Sequence, residues 1–279
     1  MTQAATRHAP GVPSWVSLLV RDSEASREFY HELFGWEYRP GPGEAGQHFR
    51  AVLDGRQVAC LTRMRPGVHR LAGWLPYLTA DDADTAAELA RMCGGTVGVG
   101  PLGTEGMGRV AVAADPGGAA FGIWQSEERP GAYMDGGPGT VVWHELITPR
   151  TSLVEKFYET VFGLEADAVR EPLSPVDPAD SGDSGDSVSD AGGREETDYL
   201  TMSARGRIVG GIHGVGAALP RDRGSHWLMY VEVADTDAAV RRVTELGGRV
   251  LRPPRDTPRG RVARVADREG APFAVITDR

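Results

Sequence analysis

Residues 13–20, PSWVSLLV, alternate so that Val16, Leu18 and Val20 fall on one side and Trp15, Ser17 and Leu19 on the other. That period of two is the signature of a strand. Asp22 and Glu24 then open a segment in which Phe29, Tyr30, Leu33 and Phe34 recur at helical spacing until Gly35 stops it. Short strands are predicted at 36–38, 49–53 and 57–63. The same order begins again at Trp74, with a strand at 75–80 and a helix at 82–92 stopped by Gly94-Gly95. Strands at 96–99, 108–114 and 120–125 complete it.

This pattern is itself repeated. Trp15-Val-Ser-Leu, Phe29-Tyr30 and Phe34-Gly35 return 128 residues later as Trp143-His-Glu-Leu, Phe157-Tyr158 and Phe162-Gly163. Further on, Trp74-Leu-Pro-Tyr77 and Gly94-Gly-Thr-Val97 return as Trp227-Leu-Met-Tyr230 and Gly247-Gly-Arg-Val250, at an offset of 153. Gly108-Arg-Val-Ala with Asp115 returns as Gly260-Arg-Val-Ala with Asp267, at an offset of 152. A fixed self-similarity of this kind marks duplicated structural units. The change of offset measures an insertion in the second copy. The chain thus reads as four βαβββ units in two α+β domains with mixed sheets cupped around a cleft, where a ligand would sit. The predicted divisions are a flexible tail at 1–10, a first domain at 11–127 (units 11–66 and 72–127), a linker at 128–139 and a second domain at 140–277 (units 140–216 and 225–277).

Composition sharpens this picture in one place. The formal charge is −9, but residues 171–196 hold eight acidic residues and one arginine, so the rest of the chain is nearly balanced. That segment, with its SGDSGDS core, is poor in apolar residues and predicts a disordered acidic insertion. A balanced body gives no basic footprint for nucleic acid, and no apolar run long enough for a membrane span occurs. Cys60 and Cys93 stand without partners, which excludes a disulfide framework or zinc ribbon and suits a reducing compartment. With no secretory signal in MTQAATRHAPG, the reading is cytoplasmic. The basic residues are 29 Arg and Lys156 alone, a bias read as coding preference.

Familiar motifs are absent or fail in context. Gly98-Val-Gly-Pro-Leu-Gly103 fits the dinucleotide fingerprint, but Pro101 and the sequence after it do not open a helix. His31-Glu32 and His144-Glu145 lack the second histidine of HExxH. Gly182-Asp-Ser-Gly185 lies in the low-complexity insertion, where a nucleophilic serine would have no rigid partner.

The paired units resemble the vicinal oxygen chelate superfamily, which includes glyoxalase I, extradiol dioxygenases and bleomycin-resistance proteins. The resemblance rests on Pro13-Ser-Trp-Val, Leu33-Phe-Gly-Trp36, Asp115-Pro-Gly-Gly-Ala with Phe121-Gly-Ile-Trp124, and Trp143-His-Glu-Leu. It is strongest toward actinobacterial two-domain members, among them a mycobacterial antigen and accessory proteins of anthracycline clusters. Catalytic members hold a divalent metal with His, Gln and Glu side chains. Six of the positions that the resemblance assigns to those ligands are here Trp15, Leu75, Trp143, Leu228, Gly122 and Ala274, none of which carries a metal donor, and at the remaining position, on the last strand of the first unit of each copy, only His213 is offered. No metal and no cofactor are therefore expected.

By strand parity the cleft receives Trp15, Ser17 and Leu19; Leu75, Tyr77 and Thr79; Trp143, Glu145 and Ile147; and Leu228, Tyr230 and Glu232, with Trp124 at the mouth. His213 is the one histidine kept as a site candidate. The candidate ligand-binding set is Trp15, Ser17, Tyr77, Trp124, Trp143, Glu145, His213, Tyr230 and Glu232. Aromatic planes with a few polar groups suit a flat aromatic molecule. The bland alternative places the tryptophans in the core and pairs the two carboxylates with arginines.

The leading expectation is a non-catalytic protein that sequesters or carries a planar aromatic molecule, such as an anthracycline-like antibiotic, in self-resistance or as a biosynthetic accessory. The runner-up is a metal-independent lyase, isomerase or hydroxylase accessory working through Glu145, Glu232 or His213. Partners are expected to be the aromatic ligand and a biosynthetic enzyme, with no nucleic acid or membrane, and the chain is expected to be monomeric because fusion supplies what relatives gain by dimerising.

Overall fold

A computed structural model describes residues 9–41, 46–65, 67, 72–104, 108–126, 136–168, 199–216, 219 and 224–278. The tail up to residue 8, most of the linker and the acidic insertion at 171–196 lie outside the described residues. The first half contains β1 (Pro13–Val20), α1 (Ser23–Phe34), β2 (Glu37–Pro40), β3 (His48–Leu53) and β4 (Arg56–Arg63), then β5 (Gly73–Thr79), α2 (Ala83–Met92), β6 (Thr96–Thr104), β7 (Gly108–Ala114) and β8 (Ala120–Gln125). The second half repeats them as β9 (Val141–Thr148), α3 (Thr151–Phe162), β10 (Glu165–Ala168), β11 (Tyr199–Ala204) and β12 (Arg207–Gly214), then β13 (His226–Glu232), α4 (Thr236–Glu245), β14 (Arg249–Thr257), β15 (Gly260–Ala266) and β16 (Pro272–Asp278). Several boundaries shift by one or two residues from the sequence reading, as at β5, expected at 75–80, and two differences matter more. Trp36 leaves its strand to become a fully buried core residue, and the strand expected to end at Val99 runs to Thr104.

The strands form two eight-stranded sheets with equivalent orders, β2-β3-β4-β1-β5-β8-β7-β6 and β10-β11-β12-β9-β13-β16-β15-β14. Both are mixed: β1 runs parallel to β4 and β9 to β12, while β6, β7 and β8 pair antiparallel. The glycine-rich stretch 98–103 lies within β6 and opens no helix.

Local chemistry explains the helices. Asp22 caps α1 by accepting from the backbone N–H of Glu24 and Ala25 at 3.0 and 3.1 Å, and Asp82 and Asp235 cap α2 and α4 likewise. Arg150 stands at the corresponding place before α3 and offers no side-chain cap. Gly35 and Gly163 end α1 and α3 in the left-handed region, at φ +74° and +67°, where glycine carries no Cβ penalty.

The chain divides into two compact units. One comprises Met1–Pro13, Leu78–Glu128 and His144–Trp227; the other comprises Ser14–Tyr77, Arg129–Trp143 and Leu228–Arg279. Each has its own aromatic core built from the repeated Phe-Tyr motif. In the first, Tyr158 meets Trp227 edge-on at 5.6 Å and Phe121 packs on Phe157 and Phe162. In the second, Tyr30 meets Trp74 edge-on at 5.6 Å and stacks with Trp36 at 5.5 Å. Trp74 and Trp227, which fall outside the strand alternation toward the cleft, are thus core residues.

The same tyrosines carry a bond at the heart of each unit. Tyr158 donates its hydroxyl to Asp115 at 3.1 Å, and Tyr30 donates to Asp267 at 3.0 Å, with all four side chains buried. Each aspartate also accepts a backbone N–H of its own turn, from Ala119 and Ala271 respectively. The Phe-Tyr segments and the turns that begin at Asp115 and Asp267 are therefore the two halves of one fastening.

Candidate functional site

One face of each sheet lies under the helices; the other is the face that parity assigns to a ligand. On β1, Val16, Leu18 and Val20 are buried toward the helix side, leaving Trp15, Ser17 and Leu19 on the helix-free face. Strand register then shows what joins them. Ser17 stands opposite Cys60 on β4, and Thr62 stands opposite His48 on β3. The Ser17 and Thr62 hydroxyls are 3.3 Å apart, and His48 Nδ1 lies 3.1 Å from Thr62 Oγ1. Tyr77 on β5 shares a hydrogen bond with Ser17; burial pushes its phenol up to about 12. Burial likewise raises the Cys60 thiol and lowers the His48 imidazole. Burial thus favours the neutral forms of Tyr77, Cys60 and His48, while Arg50, opposite Cys60 on β3, brings a guanidinium to the same face, which Trp15 and Tyr77 border.

The second copy uses the same three stations differently. Glu145 on β9 occupies the place of Ser17, His213 on β12 that of Thr62, and Tyr199 on β11 that of His48. Here His213 Nδ1 lies 3.2 Å from Glu145 Oε1, and Tyr199 donates to Glu145 Oε2 at 3.2 Å. Glu145 and His213 are fully buried. The carboxylate thus holds both a histidine and a tyrosine. Gly211 makes this possible: a Cβ there would stand 2.7 Å from Tyr199 Cζ, inside the ring's contact surface.

The remaining candidates are placed as follows. Trp143 is 7% exposed and lies beneath the guanidinium of Arg259, 4.4 Å from the ring centroid. Tyr230, buried on β13, stands opposite Ala274. Trp124 is buried at the end of β8 opposite Val110. Glu232 accepts the backbone N–H of Gly137 at 2.7 Å, which ties it to the turn before β9. So Glu145 joins His213, and Ser17 joins Tyr77, while Glu232 is engaged with backbone. Tyr199, His48, Cys60 and Thr62 escaped the sequence reading; only the pairing of β3 with β4 and of β11 with β12 brings them in. His144 faces the helix side, where burial lowers its imidazole to about 3 and keeps it neutral.

Among the described residues, no group of three or more His, Cys, Asp or Glu is arranged to hold a metal ion. No helix of the described residues is long and apolar enough to cross a membrane.

Comparison with known proteins agrees with this architecture. The sequence model of the Glyoxalase/Bleomycin resistance protein/Dioxygenase superfamily matches residues 13–123 and 140–275. The chain belongs to this superfamily. It is 37% identical over 288 residues to the anthracycline biosynthesis protein DnrV of Streptomyces peucetius, covering 97% of this chain and 94% of that protein. It is 32% identical over 277 residues to the putative glyoxylase CFP32 of Mycobacterium tuberculosis (strain CDC 1551 / Oshkosh), covering 97% and 96%. Among solved structures, the 2,3-dioxygenase LapB from Pseudomonas sp. KL28 superimposes with a TM-score of 0.61 at 15% identity over 97% of this chain and 93% of that one. The Mn(II)-bound glyoxalase from Novosphingobium aromaticivorans gives 0.59 at 16% identity over 96% and 83%. These two likenesses are of fold.

Proposed function

We propose that this chain binds a planar aromatic small molecule without a metal, as an accessory to the making or tolerance of an aromatic antibiotic. The observation that carries the reading is the helix-free wall of β1, β3, β4 and β5. There, Trp15 and Tyr77 border the neutral hydrogen-bonding set of Ser17, Thr62 and His48. Rings stack on such a wall, and its hydroxyls and imidazole satisfy phenol or quinone oxygens. The donor set argues against a resident metal. At six of the places where the resemblance puts ligands this chain has Trp15, Leu75, Gly122, Trp143, Leu228 and Ala274, which carry no metal donor, and His213, the one donor at the remaining place, is engaged with Glu145. The relation to an anthracycline biosynthesis protein supports the class of ligand.

Titration with a dihydroxyanthraquinone, followed by tryptophan fluorescence, tests the reading. Saturable quenching that weakens in Trp15→Ala is expected; no quenching up to the solubility limit of the probe overturns it.

A second reading has one observation in its favour. The buried Glu145–His213–Tyr199 chain couples a carboxylate, an imidazole and a phenol, which is the equipment of general acid–base catalysis. Turnover of a polyketide substrate by chelator-treated protein, abolished in Glu145→Gln, would favour that reading over simple binding.

A further inference from the structure

His48, Thr62, Ser17 and Tyr77 stand on four adjacent strands, β3, β4, β1 and β5, and all belong to one compact unit. Their polar atoms form a single chain. Thr62 Oγ1 lies 3.1 Å from His48 Nδ1, the Ser17 and Thr62 hydroxyls are 3.3 Å apart, and Ser17 shares a hydrogen bond with the Tyr77 phenol.

A hydroxyl has one proton and so donates once, while its oxygen accepts. The direction of one bond in such a chain therefore sets the direction of the next. When His48 donates from Nδ1, Thr62 donates to Ser17, Ser17 donates to Tyr77, and the phenol O–H turns outward as a donor. When Nδ1 is bare, Thr62 donates to it, Ser17 to Thr62 and Tyr77 to Ser17, which leaves the phenol oxygen as an acceptor. Both directions fit the distances, because either hydroxyl can donate and the imidazole has two tautomers. The second copy is different. Glu145 holds the place of Ser17 there, and a carboxylate only accepts, so the direction of the Tyr199 bond is fixed.

The groups around the chain leave the switch to His48. Cys60 also bonds to Thr62, but burial keeps its thiol protonated, and sulfur accepts more weakly than the Ser17 oxygen. Arg50 stands opposite Cys60 and Arg39 opposite Arg50, both of constant charge, and Glu37 shares their face two residues before Arg39.

We infer that His48 is a positioning residue that sets, through Thr62 and Ser17, whether Tyr77 offers the bound ligand a donor or an acceptor. With the imidazole neutral, the wall adapts to a planar aromatic bearing either a carbonyl or a phenol. With the imidazole protonated, Nδ1 always carries hydrogen, the chain locks toward Tyr77, and the carbonyl ligand is favoured. This inference rests on the aromatic-binding reading and adds to it a pH-dependent choice between quinone-like and phenolic ligands.

The test uses 9-fluorenone, whose carbonyl only accepts, and 2-hydroxyfluorene, whose phenol also donates. Equilibrium dialysis against the full chain measures both affinities from about pH 7.5 to 5. The fluorenone-to-hydroxyfluorene affinity ratio is expected to rise about 10-fold toward the acid end, as one hydrogen bond is lost to the phenol alone. The rise is expected below pH 6.5, because burial holds the His48 imidazole under that ordinary value. In His48→Gln and in Thr62→Val the ratio is expected to stay flat with pH, whatever the absolute affinities. A flat ratio in the wild-type chain overturns the inference and leaves aromatic binding standing. A ratio that still responds to pH in either variant overturns the route through His48 and Thr62. Binding of neither probe overturns the aromatic reading itself. Should the variants fail to fold, nitrogen-15 NMR of His48 in the wild-type chain decides the matter. At neutral pH, hydrogen is expected on Nδ1 with fluorenone bound and on Nε2 with hydroxyfluorene bound; the same tautomer in both complexes overturns the inference.

Discussion

The hydroxyl of Tyr158 donates to Asp115 at 3.1 Å, joining the helix that opens the second half of the chain to a turn that closes the first. Tyr30 and Asp267 repeat the bond at 3.0 Å, across 237 residues of sequence. Each compact unit thus combines a module from one half with a module from the other, while each sheet combines modules of the same half.

Burial pushes the Asp115 carboxyl up to about 6, against the lowering effect of its hydrogen bonds to Ala119 and Tyr158. Its ordinary value is near 4, so between the two the folded chain holds a proton that the unfolded chain has released. Stability from this group is fully present below pH 4 and is lost as pH rises through 6. Denaturant melts of wild type and Asp115→Asn from pH 4 to 7 are expected to diverge in the variant's favour by on the order of 2–3 kcal/mol. Parallel curves would refute this.

Tyr158→Phe and Tyr30→Phe each remove the donor that satisfies a buried carboxyl. Each is expected to lower stability by about 1–3 kcal/mol with little change in secondary structure. Urea denaturation followed by circular dichroism measures this.

Glu145 and His213 are fully buried partners, so removing one strips the other of a bond it makes in the interior. Glu145→Leu alone is expected to cost about 3–5 kcal/mol, and Glu145→Leu/His213→Leu markedly less than the sum of the two single changes. A double-mutant cycle that shows simple additivity would exclude the coupling.

Gly211→Ala places a methyl group against the ring of Tyr199. The ring must swing away from Glu145, and the Tyr199 ring signals in an NMR spectrum, assigned by their absence from a Tyr199→Phe control, are expected to shift. Destabilisation of about 1–3 kcal/mol should accompany the overpacking.

Chelation offers a direct check on the donor argument. Dialysis against EDTA is expected to leave both the melting temperature and the affinity for a dihydroxyanthraquinone unchanged. Loss of binding that a divalent ion restores would return the metal to the site.

Much of this was readable along the chain. Period-two alternation assigned Trp15, Ser17, Tyr77, Glu145 and Tyr230 to one side of their strands, because adjacent side chains on a strand must point oppositely. The repeat offsets gave four modules, and Asp22, Asp82 and Gly35 marked helix ends through capping chemistry that acts within a few residues. Which side chains meet was not readable, since it depends on pairings between strands far apart in sequence. Tyr199 reaches Glu145, and Thr62 joins Ser17 to His48, only through the register of neighbouring strands. The sequence by itself determined the elements, their duplication and the face each residue takes, all consequences of local backbone geometry. The tertiary structure alone decided that outer modules unite through Tyr30 and Asp267 and inner ones through Tyr158 and Asp115, because burying an aromatic face selects its partner by shape and hydrogen bonding and not by proximity in the chain.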